Sequence, residues 1–375
     1  MSTLFHGARK LDADGIVDDF WMLVDRGTIT ATGSGDERPD ASERVDLAGD
    51  TLTPGFVDLH GHGGAGASVD DGTDAIRAGL AVHRSHGTTR SVISLVTNPL
   101  PDLERSLAAV AEFAAEDPLV LGSHLEGPWL APARKGAHSP EHLVPPTTGA
   151  AEALLAAARG TLRQVTVAPE LPGALDVIRL LVDAGVAVAV GHTEADAATA
   201  RSAFDAGATL LTHAYNAMPG IHHRAPGPVV AALRDERVTL ELVLDGIHVD
   251  PELAAVTLAA APGRVALITD AMAAAGAHDG RYRLGSADVV VDSGRATIAG
   301  TDTIAGSTLT QDAALRLALA SGIDPVAAVT ALTLTPARAL GEKLGLLAVD
   351  YPADAVRLDT DWTVRAVWGA GERLA

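Results

Sequence analysis

From residue 55 onward, apolar runs of four to seven residues alternate with Ala- and Leu-rich stretches of helical period. Runs this short, each followed by room for a helix, predict the strands of a parallel sheet built from βα units. Eight fit the pattern: 55–60, 90–95, 120–125, 164–168, 186–190, 209–212, 239–244 and 264–269. Eight such units predict an α/β fold, a (β/α)8 TIM-like barrel, which commonly fills about 250 residues. The remainder of the 375 residues must then form an accessory piece. Residues 1–54 read as short extended segments broken by Gly and Asp, and 355–374 is extended again. The two ends are therefore expected to pair as a small discontinuous β-sandwich domain, 1–54 plus 345–375, beside a barrel of residues 55–344. After the eighth run come a Gly-rich extended segment, 282–298, and two helices, 307–320 and 324–340.

Composition narrows the chemistry. The chain is 47% hydrophobic, yet its apolar runs are far too short to cross a bilayer, and residues 1–14 lack the basic-then-apolar layout of a signal peptide. A cytoplasmic location is expected. The absence of cysteine removes disulfides, thiolate nucleophiles and zinc–thiolate sites, so a bound metal must use His, carboxylate and water. A formal charge of −20 argues against nucleic acid as a partner, because phosphate backbones call for clustered positive charge. An anionic small molecule would need a local cationic pocket.

The informative feature is where polar residues fall on the apolar runs. His60, His62, Glu126, His192, His213, His248 and Asp270 each lie at or just past the end of one. In a barrel these are the C-terminal strand ends, the face that carries the active site, so seven metal-capable or proton-transferring groups from six strands converge on one mouth. His60 and His62, two apart on a strand, leave the same face and can reach one ion. With Glu126, His192 and His213 they compose a His/carboxylate set with room for water, as hydrolytic metal sites have.

The stretch Pro54-Gly55-Phe56-Val57-Asp58-Leu59-His60-Gly61-His62 resembles the strand-one signature of the amidohydrolase superfamily. The segments His124-Leu125-Glu126-Gly127-Pro128-Trp129, Lys135-Gly136-Ala137-His138, Gly191-His192-Thr193, Thr212-His213-Ala214-Tyr215-Asn216-Ala217-Met218, Asp245-Gly246-Ile247-His248-Val249-Asp250 and Thr269-Asp270-Ala271-Met272 resemble the N-acetylglucosamine-6-phosphate deacetylase family, in order along nearly the whole barrel. The resemblance implies hydrolysis of the acetamide of an N-acetylated amino-sugar phosphate. It implies one or two divalent ions per subunit, zinc or iron, one held by Glu126, His192 and His213, with His60 and His62 available for a second. It makes Asp270 the general base and acid, and gives His248 the polarisation of the acetyl carbonyl, a division of labour that fits the chemistry of an amine leaving group. Arg224 and the backbone at Asn216 and Ala217 are implied to bind phosphate. Ala137 and the Ile304-Ala305-Gly306 turn are implied to line the sugar site, with Arg224 reaching a neighbouring subunit in a homodimer.

The other histidines take plainer roles. His6, His83, His86 and His278 are read as surface, helix or β-domain residues, His124 as a hydrogen-bonding support of the ligands, and His138 and His142 as residues of a Pro-rich loop, either lid or solvated. Rival functions are deacetylation of the galacto epimer, a cyclic-amide hydrolase and a barrel scaffold without catalysis. Segment 164–170 has no lysine to bridge two metals, against the cyclic-amide type, and the full set of polar strand ends disfavours the scaffold.

Overall fold

The computed structural model describes residues 2–375. Its centre is an eight-stranded parallel sheet. The strands are β1 (Phe56–Asp58), β2 (Thr88–Val96), β3 (Val120–Glu126), β4 (Leu162–Val167), β5 (Ala187–Val190), β6 (Leu210–Leu211), β7 (Thr239–Val243) and β8 (Val265–Ile268). Each coincides with an expected run. The ladder passes from β1 to β8 in chain order, and helices on the outside bury their apolar faces against it, as in Leu103, Leu107 and Val110 of helix Leu100–Glu116.

Where β8 meets β1 the barrel closes by other contacts. Past the strand ends, Asp270 N donates to His60 O at 2.8 Å and His62 N to Ala271 O at 2.7 Å. The Asp58 carboxylate accepts from Thr269 N at 3.2 Å and Thr269 Oγ1 at 2.6 Å. Deeper in, Gln311 Nε2 donates to Val57 O at 2.9 Å and Leu267 O at 3.3 Å, while Gln311 Oε1 accepts from Thr88 Oγ1 at 2.8 Å. One fully buried amide thus satisfies three groups on β1, β2 and β8.

The helix carrying Gln311, Gln311–Ala320, begins four residues later than expected. Ser307 is drawn instead to the seam, with its N donating to Asp270 O at 2.7 Å and its carbonyl accepting from Met272 N at 2.9 Å. The second expected helix is split into Pro325–Leu332 and Leu334–Ala339, because Thr333 at φ −129°, ψ −82° leaves helical geometry. The segment after β8 forms an antiparallel three-stranded sheet, Gly280–Leu284, Ala287–Asp292 and Arg295–Ile298.

The chain ends pair as expected. Ser2–Asp12, Gly15–Asp25, Thr28–Ser34, Glu43–Asp46 and Thr51–Pro54 join Ala355–Leu358, Val364–Gly369 and Glu372–Arg373 in one mixed sheet, with Ala355–Leu358 antiparallel to Thr51–Pro54. It surrounds its own core of Phe5, Phe20, Met22, Ile29, Leu52 and Trp368. A buried Arg90–Asp354 pair, with Nε–Oδ2 at 2.7 Å and Nη2–Oδ1 at 3.1 Å, ties this sheet to β2. Among the described residues no helix is long and apolar enough to cross a membrane.

Replacing Gln311 with Leu keeps the volume but strands two buried carbonyls and a hydroxyl, each worth about 1–3 kcal/mol when unsatisfied. The variant is expected to melt several degrees below the parent; a Tm within about a degree would mean the amide does not hold the seam.

Candidate active site

Glu126, the last residue of β3, stands at the centre of the mouth and is 4% exposed. Its Oε1 lies 3.1 Å from His192 Nε2, 3.1 Å from His213 Nε2 and 3.4 Å from His60 Nε2; its Oε2 lies 3.2 Å from both His62 Nε2 and His138 Nε2. Asp270 Oδ1 closes the opposite side, 3.4 Å from His62 Nε2 and 3.7 Å from His60 Nε2. Two three-ligand groups result: Glu126, His192, His213 and His60, His62, Asp270. The sequence reading assigned Asp270 only the proton; the geometry groups its carboxylate with the strand-one histidines.

The backbone bends to bring these groups together. His192, His213 and Asp270 have φ of 46°, 25° and 48°, the left-handed region that costs non-glycine residues on the order of 1 kcal/mol or more each. Gly191, just before His192, sits where a Cβ would lie 2.7 Å from Thr212 Cβ, so only glycine lets β5 end this close to β6.

Whether a cation fits here follows from where the imidazole protons sit. His192 Nδ1 donates to Arg134 O at 2.7 Å, and His62 Nδ1 to Ser94 O at 2.9 Å. Each Nε2 of the neutral rings therefore carries a lone pair, yet each faces a carboxylate oxygen and another imidazole nitrogen, His192–His213 and His60–His62 both at 3.0 Å. Acceptors facing acceptors in a buried site call for positive charge between them. Burial opposes protonation of His60 and His62, but Glu126 and Asp270 outweigh it: His60 is raised well above its ordinary value and His62 up to about 9. Burial likewise resists ionising Glu126 and Asp270, and His60 above all overcomes it, so both carboxyls are lowered. Nitrogen and oxygen donors in this number suit a divalent metal ion.

The surroundings assign the other histidines. His138 Nδ1 accepts from Thr97 N at 3.3 Å, which leaves its proton on Nε2 to donate to Glu126 Oε2. It is a buried neighbour of the ligands, which the sequence left between lid and solvent. His124 bonds Ser94 Oγ and Thr166 Oγ1, each at 2.9 Å, instead of a ligand. Burial, reinforced by His60, holds its pKa well below the ordinary value, so it is a neutral support. His248 Nδ1 donates to Asp245 Oδ2 at 2.7 Å, and Asp245 Oδ1 accepts from Ile247 N and His248 N, both at 2.8 Å. Burial disfavours charge on His248, but Asp245 and then Asp270 prevail and raise its pKa.

These groups open into a cavity of about 520 Å³, lined also by Arg134, Lys135, Ala137, Asn216, Ala217, Ile304 and Gly306. Two expected members lie elsewhere. Ala305 is fully buried, and its N–H is committed to Ala296 O at 3.1 Å. Arg224 is exposed on the loop beyond β6, its Nη1 2.7 Å from His223 Nε2, and does not line the cavity of its own chain. Sequence reasoning missed Asp245, whose i to i+3 spacing to His248 was a signal, and Glu241, an acid inside the apolar run of β7.

The family model described as "Amidohydrolase family" matches residues 51–372. The N-acetylgalactosamine-6-phosphate deacetylase of Escherichia coli O157:H7 is 38% identical over 379 residues, covering 99% of each chain. The N-acetylglucosamine-6-phosphate deacetylase of Bos taurus is 37% identical over 372 residues, 95% of this chain and 91% of its own. Among solved structures, a mutant N-acetyl-D-glucosamine-6-phosphate deacetylase from Mycobacterium smegmatis, in complex with N-acetyl-D-glucosamine-6-phosphate, superposes with a TM-score of 0.95 at 43% identity, covering 100% of this chain and 99% of that one. The chain belongs to the amidohydrolase family, among the N-acetylglucosamine-6-phosphate deacetylases that it matches over nearly its whole length.

Proposed function

We propose that the protein is a divalent-metal-dependent N-acetylglucosamine-6-phosphate deacetylase, converting its substrate and water to D-glucosamine 6-phosphate and acetate in amino-sugar catabolism or recycling. The observation that carries the reading is the pair of three-ligand groups facing each other across Glu126 at the barrel mouth, in a chain of this family. Glu126, His192 and His213 would hold one ion; His60, His62 and Asp270 would hold a second. Bound there, zinc or iron supplies Lewis acidity and lets water ionise near neutral pH.

The chain's own groups then account for the proton and the charge. Asp270, ionised at neutral pH, takes the proton of the attacking water and returns it to the amine nitrogen as the C–N bond breaks. His248 keeps its Nδ1 proton on Asp245 and, in the protonated form that Asp245 and Asp270 favour, offers Nε2–H to the acetyl oxygen as negative charge develops on it. Ala137, Ile304 and Gly306 form the sugar wall, with Ala305 holding the turn from behind. The phosphate falls to the backbone at Asn216 and Ala217 and to Arg224, whose planar guanidinium suits it.

Because Arg224 stands away from its own cavity, the reading has it serve the second subunit of a homodimer. Among the described residues, four of the six exposed large apolar side chains, Ile221, Ile247, Leu253 and Val256, fall in segment 221–256, which supports an interface there. A phosphorylated sugar is held back by membranes, which suits a cytoplasmic enzyme. We further propose two domains, a barrel of 55–344 and a β domain of 1–54 plus 345–375. The second reading, deacetylation of the galacto epimer, rests on the 38% identity to the Escherichia coli O157:H7 relative.

Acetate release from N-acetylglucosamine 6-phosphate, its galacto epimer and the unphosphorylated sugar tests the reading directly. The gluco phosphate is expected to turn over fastest; no acetate from any of them overturns it.

Asp270→Asn is expected to lose about a hundredfold or more in turnover, the scale of a general acid–base group, while keeping the ion at Glu126. Near-parental turnover would remove Asp270 from the proton path.

Arg224→Ala should impair the phosphorylated sugar far more than the free one. If Arg224 acts across the dimer, mixing Arg224→Ala with Asp270→Asn subunits should restore activity, since one site of each hybrid is complete. No restoration in demonstrated hybrids argues for action within one chain.

Protein reconstituted with excess zinc should hold two equivalents, and a His60→Gln/His62→Asn double variant one. One equivalent in both excludes the second ion.

A further inference from the structure

Of the imidazoles around Glu126, His60 and His213 make no hydrogen bond through Nδ1, and that of His60 faces a carboxylate. His62 and His192 each give the Nδ1 proton to a backbone carbonyl, but His60 Nδ1 faces a side chain from below, Glu241 Oε2 at 3.5 Å. Neither atom has another hydrogen-bond partner, and both residues are 0% exposed. At 3.5 Å the pair stands just outside hydrogen-bonding distance. The other carboxylate oxygen, Oε1, accepts from Gln164 Nε2 at 2.6 Å. Gln164 is on β4 and Glu241 on β7, so this bond crosses the barrel interior and fixes the carboxylate beneath His60.

We propose that Glu241, braced by Gln164, is the positioning residue that keeps the His60 proton on Nδ1 and aims the Nε2 lone pair at an ion shared with His62 and Asp270. This rests on the reading of His60 as a metal ligand. Two arguments support it. A carboxylate buried without a partner is costly, and here an N–H from His60 is the one donor facing Oε2. A carboxylate behind a ligand histidine also makes the imidazole a stronger donor than a carbonyl does, and losing such a partner typically weakens metal affinity about 10–100-fold. Glu241 would thus set the affinity of the second ion and leave the first alone.

Glu241→Gln exchanges the acceptor for a donor. Its amide oxygen keeps the bond from Gln164, so the new NH2 faces His60 Nδ1 and drives the proton to Nε2, where it blocks the ion. Glu241→Leu removes the acceptor without adding a donor. Zinc titration of the metal-free parent and both variants by calorimetry should show one ion bound with parental affinity and the other weakened about 10–100-fold. Parental affinity for both ions, or equal weakening of both, overturns the assignment. Should the parent itself bind a single equivalent, the second-ion reading fails on its own, and 15N imidazole NMR of histidine-labelled protein decides the positioning role. A His60 proton on Nδ1 in the parent and on Nε2 in Glu241→Gln supports it; the same tautomer in both overturns it.

Discussion

The Glu126 carboxylate faces five imidazole nitrogens within 3.4 Å, inside a barrel mouth where it is 4% exposed. In water such a carboxylate would be unremarkable, but buried it must be matched by positive charge or by donors. One donor is present in His138, whose proton the Thr97 backbone fixes on Nε2. His62 and His192 present lone pairs when neutral, because each has already given a proton to a carbonyl. Neutral, the cluster is short of positive charge, and His60 and His62 are pushed toward protonation for the same reason that they suit a metal.

That arrangement depends on how the barrel is closed. His60, His62 and Asp270 lie on the seam between β1 and β8, and the bonds joining its edges are made by these residues' own backbone, Asp270 N to His60 O and His62 N to Ala271 O. Closing the barrel and assembling one ligand group are the same event. The left-handed backbone of Asp270, His192 and His213 is tolerated because these bonds and the neighbouring turns over-determine it. Gln311 and Asp58 hold the seam beneath this register, so residues outside the cavity set the distances within it.

Most of this was legible in the chain. The eight strands appear as eight apolar runs, because a parallel strand covered on both faces must be apolar along its length. The candidate ligands appear as polar residues at or just past the ends of those runs. What was hidden depends on contacts between segments remote in sequence. Thr97 meets His138 across 41 positions, and Gln164 meets Glu241 across 77. The helix start at Gln311 is late because Ser307 pairs with Asp270, a competition no local propensity records. Arg224 had the right chemistry for an anion, but a single chain places it outside the cavity.

Charge explains why the mouth is divided into zones. A chain of net charge −20 repels an anion over most of its surface, so an anionic ligand must find cations close at hand. Arg134 and Lys135 line the cavity on the loop after β3, and the same loop supplies the carbonyl that orients His192 and the imidazole that donates to Glu126. Gly136 lies between them with φ 54°, where a Cβ would stand 3.1 Å from His192 Cε1. A bulkier residue there would press on the His192 ring, so the glycine lets one short loop carry cations to the rim and hold a histidine at the centre. Ligand orientation and the electrostatics of entry are therefore coupled through a single backbone segment, and a change in this loop acts on both.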